Sequence, residues 1–291
     1  MMEVRSNFLA DLGQVLQALL ESEGIKTPAL NTPDLCRMYF NIAHRQIVPK
    51  PRSAIWSAEL RAKSLSPEIL AGLRQIETSS ARGEDLSPRQ STQYGDVYFT
   101  DMLLNDWGIQ HFHLGTDAPG PNKRVARDRQ VLFVVVTDAS LLFADVFGHE
   151  FCRDELLEIV QRNWPEWLEP HRAQNAVSAP PIPESRRKAF RGPIKPRGGR
   201  LLLPSVMRDG TVYVPPGGGY FVDGSSVTAG RKADALLTEI TGTERSCRQQ
   251  AEVIRDRLHE RCGQRLAELR LRLVWDGNGV RIQEEQCGVL L

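Results

Sequence analysis

The chain has 291 residues, 41% of them hydrophobic and 25% charged, with a formal net charge of +1. That is the composition of a globular protein with room for one large domain or two ordinary ones. A near-zero net charge excludes a global electrostatic pull toward nucleic acid or anionic membrane, so any such attraction must come from local patches.

Phe8, Leu9, Leu12, Val15, Leu16, Leu19 and Leu20 recur at helical spacing over 7–22, and Gly24 fits a helix stop. A second helix is expected from Asp34 to Ala43, with Pro33 in its first turn. Pro49-Lys50-Pro51 breaks the pattern, and Ser66-Pro67 opens another helix carrying Ile69, Leu70, Leu73 and Ile76 on one face. Residues 1–95 therefore read as mainly helical. A short helix is expected over 97–104, ended by Gly108, and a strand from His111 to Gly115. After a polar loop, Gln130–Thr137 and Leu141–Phe147 form an antiparallel hairpin turning at Asp138-Ala139-Ser140, and Asp154 is expected to cap the next helix.

Residues 172–200 read as a linker. Pro180-Pro181-Ile182-Pro183 is stiff, and the run from Arg186 to Arg200 holds Arg186, Arg187, Lys188, Arg191, Lys195, Arg197 and Arg200 with no acid. Beyond it come a hairpin at Asp209-Gly210, a glycine-rich loop over 215–226, helix over 230–262 that Gly242 could interrupt, and a final hairpin at Asp276-Gly277-Asn278-Gly279. The expected fold class is α+β: a mainly helical N-terminal region (1–95), a central antiparallel sheet with helices (96–171), the linker (172–200) and a smaller α+β C-terminal domain (201–291).

The five cysteines (Cys36, Cys152, Cys247, Cys262, Cys287) show no C-x-x-C spacing. They read as reduced thiols of a cytoplasmic protein. No signal-peptide core is evident, and no apolar run reaches the ~20 residues that span a bilayer, so no membrane partner is expected.

The densest chemistry is Asn105-Asp106-Trp107-Gly108-Ile109-Gln110-His111-Phe112-His113-Leu114-Gly115. In a strand His111 and His113 share a face. The hairpin that follows ends at Gly148-His149, which places His149 at the same end of the sheet if the strands are neighbours. Clustered imidazoles serve as general acid and base near neutral pH. They also bind transition metals, with Asp101 or Asp106 to complete a shell, but no second ligand motif is present, so neither metal nor cofactor is assigned. The loop Lys123-Arg124-Val125-Ala126-Arg127-Asp128-Arg129 adds cations suited to phosphate oxygens, with Arg124, Arg127 and Arg129 as the phosphate-binding candidates. The Arg186–Arg200 segment suits a nucleic-acid backbone. The bland alternatives are a brace for the sheet, a solvated loop and a tether. The glycine-rich loop matches no nucleotide-binding pattern, and the Trp-rich Trp164-Pro165-Glu166-Trp167, like Trp56 and Trp107, reads as packing before base stacking. No G-x-S-x-G, H-E-x-x-H or cysteine-protease signature occurs.

The block Asp101–Gly115, together with the arginine loop, the apolar hairpin, Gly148-His149 and Asn163-Trp164-Pro165-Glu166, resembles a signature of uncharacterised bacterial proteins over about residues 97–168. That resemblance implies accessory-genome content such as phage defence or toxin systems. A looser, topological likeness is to RelE-type ribonuclease toxins, which combine an arginine loop, antiparallel strands and a late histidine. This chain is far longer and less basic than those toxins, and they lack an H-x-H strand of this kind. The expectation is a protein acting on nucleic acid, a metal-independent ribonuclease or toxin-like effector on RNA with His111, His113 and His149 as catalytic residues. The alternative is a non-catalytic binding or assembly subunit that docks a protein partner in a defence or regulatory complex.

Overall fold

The computed structural model describes residues 3–116, 125–126, 129–151, 153–174, 176, 180, 182–185, 200–201, 203–221, 223–276 and 279–291. In chain order its elements begin with β1 (Glu3–Arg5), α1 (Phe8–Ser22), α2 (Thr32–Arg45), β2 (Ser53–Trp56), α3 (Ala58–Ala62) and α4 (Pro67–Ala81). Next come α5 (Met102–Trp107), β3 (Ile109–His113), β4 (Gln130–Val136), β5 (Ser140–Gly148), α6 (Glu155–Asn163) and α7 (Pro165–Leu168). The short strands β6 (Arg200–Leu201), β7 (Ser205–Val206), β8 (Val212–Tyr213) and β9 (Tyr220–Phe221) precede α8 (Val227–Gln249), α9 (Ala251–Cys262), β10 (Glu268–Trp275) and β11 (Val280–Glu284). The class is α+β, as the hydrophobic patterning predicts. Among the described residues no helix is long and apolar enough to cross a membrane.

The chain divides into two units, Met1–Phe40 with Ala229–Leu291, and Asn41–Thr228. In the first, β10 alternates buried Leu269, Leu271 and Leu273 with exposed Arg270 and Arg272, the period of a half-covered strand. It pairs with β1 in parallel and with β11 antiparallel. Helix α1 buries Phe8, Leu12, Leu16 and Leu20. Asn7 caps it by accepting the Ala10 N–H at 3.1 Å, and Asp11 accepts the Leu273 N–H of β10 at 3.0 Å.

The second unit is built on a four-stranded sheet in the order β2-β5-β4-β3. Both faces are covered. One carries Ile109, Val131, Phe133 and Val135 against Leu156, Leu157, Ile159 and Val160 of α6. The other carries Phe112, Leu132, Val134 and Phe143 against Leu73 and Ile76 of α4. Burial on both sides explains why β4 reads as a continuous apolar run from Val131 to Val136.

The unit boundaries differ from those drawn on the sequence. Residues 1–40 join the end of the chain, because β1 pairs with β10, and residues 201–228 belong with the central sheet. The N-terminal 95 residues are not only helical: they supply β1 and β2, the latter parallel to β5. The helix expected over 97–104 instead spans Met102–Trp107, started by the Asp101 cap. Asp154 makes no side-chain cap on α6. The hairpins at 138–140 and 209–210 and the pairing of the last two strands stand as expected. Most of the expected linker lies outside the described residues.

Candidate functional site

Alternation along β3 puts Ile109, His111 and His113 on one face and Gln110 and Phe112 on the other. The antiparallel register sets His111 opposite Phe133 and His113 opposite Val131, and β5 ends with Gly148 opposite Gln130. His149, one residue on, therefore arrives beside the H-x-H pair. The ring centroids are 5.9 Å apart for His111–His113, 5.5 Å for His113–His149 and 6.3 Å for His111–His149. His111 and His113 are only 7% and 3% exposed, whereas His149 is open to solvent. The His149 Nδ1 lies 3.3 Å from the Arg129 carbonyl. Phe151 packs on His111 at 4.9 Å and edge-on to His149 at 5.9 Å.

A buried polar frame holds β3 in place. Arg89 donates to the carbonyls of His113 (3.2 Å) and Gly115 (3.0 Å) and to Gln75 (2.8 Å). Gln90 bridges the Gln110 side chain (3.0 Å) and the Arg45 carbonyl (2.9 Å). The Arg45 guanidinium donates to the carbonyls of Asp96 and Phe99. Burial pushes both guanidiniums below the ordinary arginine range. Gly72 of α4 lets that helix meet the strand: a Cβ there would stand 2.1 Å from the Leu114 carbonyl oxygen.

The three imidazoles line a cleft of about 920 Å³, within the usual size of small-molecule sites. Ser91, Thr92, Gln93, Phe99 and Thr100 also line it. Asp101 also lines it, but its oxygens are engaged by the Leu104 N–H (3.0 Å) and the Tyr94 hydroxyl (2.5 Å). Asp106 is buried on α5 and is not part of the lining. Arg153 reaches the cleft while bonded to Glu150 (2.5 Å) and Glu155 (3.2 Å). The Glu150 hydrogen bond raises its affinity for a proton. Glu184 lies at the rim. Among the described residues, no group of three His, Cys, Asp or Glu side chains is disposed to hold a metal ion.

Of the expected phosphate ligands, Arg129 is exposed beside the cluster, while Arg124 and Arg127 lie outside the described residues. So do Arg186, Arg187, Lys188, Arg191, Lys195 and Arg197. Arg200 opens β6, where its backbone pairs with Phe221.

The glycine-rich loop has a structural task. Gly217 and Gly219 donate to the Asp106 (3.0 Å) and Asn105 (2.8 Å) carbonyls, satisfying acceptors that a helix end leaves open. A Cβ on Gly217 would lie 2.0 Å from the Leu104 oxygen. Trp107, fully buried, donates to Ser205 at 3.2 Å, and Trp56 packs on Phe143. The cleft residues missed in the sequence are Phe151, Arg153 and Ser91–Gln93. Phe151 and Arg153 follow His149 so closely that their position was the one signal available.

No protein-family model matches the chain, no curated protein matches it, and no solved structure matches it.

Proposed function

We propose that this protein is a metal-independent ribonuclease of the toxin-like or phage-defence kind, acting on RNA through the histidine cluster. The reading is carried by three imidazoles with centroids 5.5 to 6.3 Å apart in one cleft. That spacing lets two rings flank one phosphodiester, one on the attacking oxygen and one on the leaving oxygen. With Nδ1–H donated to the Arg129 carbonyl, His149 keeps its Nε2 lone pair for a proton. His149 removes the 2′-hydroxyl proton as that oxygen bonds to phosphorus. His113, protonated, gives its proton to the departing 5′-oxygen as the P–O bond breaks. The products are a 2′,3′-cyclic phosphate and a free 5′-hydroxyl. His111 completes the cluster and holds His113 edge-on.

Arg124, Arg127 and Arg129 are assigned to the phosphate. In sequence they lie between His113 and β4, and the Arg129 carbonyl is 3.3 Å from the His149 Nδ1. A guanidinium there would stabilise charge on phosphorus. The basic run from Arg186 to Arg200 would add backbone affinity. The test is cleavage of total RNA in the presence of EDTA, with end-group analysis. Cyclic phosphate ends support the reading, and cleavage that EDTA abolishes contradicts it.

The rival reading is a non-catalytic binding or assembly subunit. It is favoured by the burial of His111 and His113 and by their aromatic neighbours, which would suit a sheet brace. A protein that co-purifies at fixed stoichiometry and leaves every nucleic acid intact would favour that reading.

A further inference from the structure

The carboxylates and the guanidinium that line the histidine cleft already have partners within the protein. Arg153 is held by Glu150 and Glu155 and lies over the Phe147 ring at 4.6 Å. Asp101 accepts from the Leu104 N–H and the Tyr94 hydroxyl, and Glu184 accepts the Asp154 N–H at 3.1 Å. Gln93 is uncommitted. It sits in the short helical turn Thr92–Gly95, which Ser91 caps by accepting the Gln93 N–H at 3.3 Å. Its side chain is exposed, lines the cleft and makes no hydrogen bond among the described residues. Two half-buried aromatic rings, Phe99 and Phe151, line the same cleft. Phe99 is steadied by Tyr94 at 5.6 Å and by the Arg45 guanidinium over its ring at 5.6 Å. Phe151 is steadied by His111 at 4.9 Å and Phe133 at 6.1 Å, so its ring adjoins the histidine cluster.

We infer that the cleft holds an unpaired nucleobase beside the scissile phosphate, stacked on Phe151 and read along its edge by the Gln93 amide. A primary amide carries a donor and an acceptor side by side, the complement of a base edge. An aromatic ring offers a face on which any base can stack. With the lining charges already paired, the free amide and the two rings suit a neutral, flat, hydrogen-bonding group better than a second phosphate. The inference rests on the ribonuclease reading for the phosphate and narrows its substrate to single-stranded RNA. A base inside a duplex presents neither its face nor its pairing edge. Phe151 is then the stacking platform and Gln93 the residue that sets base preference.

The test separates base from phosphate by using nucleosides, which carry no phosphate. Adenosine, guanosine, cytidine and uridine are titrated into the full chain and followed by the imidazole NMR signals, and RNA cleavage sites are mapped in parallel. The expected result is that wild type binds one nucleoside best. Phe151→Leu should weaken all four by roughly 5- to 150-fold, the usual worth of stacking a base on an aromatic ring, and Phe151→Tyr should retain binding. Gln93→Leu should narrow the spread among the four by a similar factor, roughly 5- to 150-fold, the usual worth of a bidentate amide–base pair. Equal affinities in wild type, or an unchanged spread in Gln93→Leu, overturns the inference. RNA cleavage that ignores the neighbouring base, with no nucleoside bound, overturns the base subsite and leaves the ribonuclease reading standing. Gln93-dependent nucleoside binding by a protein that cleaves no RNA supports the subsite and overturns the ribonuclease reading.

Discussion

The imidazole of His149 stands 5.5 Å, centroid to centroid, from that of His113, although the whole β4–β5 hairpin separates them in the chain. The first ring is exposed and the second almost wholly buried. A substitution at His149 therefore tests chemistry with little risk to folding. His149→Ala is expected to lower RNA cleavage by roughly 100- to 10,000-fold, the usual contribution of a positioned acid or base. Its urea midpoint should stay within the error of wild type. A parallel fall in both quantities would assign the residue to structure.

Arg89 is buried, and its guanidinium satisfies two main-chain carbonyls at the end of β3. Arg89→Met should destabilise the protein by about 3 kcal/mol, since buried acceptors lose charge-assisted donors. Arg89→Lys should recover little of this, because an ammonium cannot reproduce the fork to both carbonyls and Gln75. Chemical denaturation of the three proteins measures it.

Gly217 is held against the end of α5, and its φ is not the point: the added methyl would collide with the Leu104 and Asn105 oxygens at 2.0 and 2.5 Å. Gly217→Ala is expected to cost about 3 kcal/mol by overpacking. Because α5 leads directly into β3, the variant should also shift the cleft. Thermal melting of Gly217→Ala beside Gly242→Ala, where a Cβ meets nothing within 4 Å, separates crowding from a general glycine effect.

Burial alone would raise the Glu284 carboxyl, but backbone N–H donors from Cys287, Arg270 and Gln286 outweigh it and hold the group below its ordinary 4.5. A carboxyl depressed in the folded state adds stability above its unfolded pKa. That contribution disappears as pH falls from about 4.5 through the lower folded value. Glu284→Ala should thus destabilise the first unit by about 2 kcal/mol at pH 7, with the gap to wild type narrowing in acid. Stability curves at pH 7 and pH 3.5 check the direction.

The histidine cluster could be anticipated because its determinants are local. Two-residue spacing on a strand fixes a common face, and the turn at Asp138-Ala139-Ser140 fixes the register that returns His149 to the same end. The frame around it was not legible. Arg45, Arg89 and Gln90 are isolated polar residues whose burial follows from contacts with β3 and its flanks, remote in sequence. β2 is four residues long and gains its identity from parallel pairing with β5. β1 depends on a partner at the opposite end of the chain. Local periodicity carries no trace of either pairing. The glycine-rich loop was legible as structural, but its partner, the carbonyl end of α5, was not.

The most direct measurement is a comparison of wild type, His113→Ala and His149→Ala on single-stranded RNA, single-stranded DNA and duplex DNA, each with and without EDTA. The account predicts that wild type cleaves RNA alone, leaves 2′,3′-cyclic phosphate ends and is indifferent to EDTA, and that both variants are nearly inactive. Identical behaviour of wild type and variants on every substrate would contradict it.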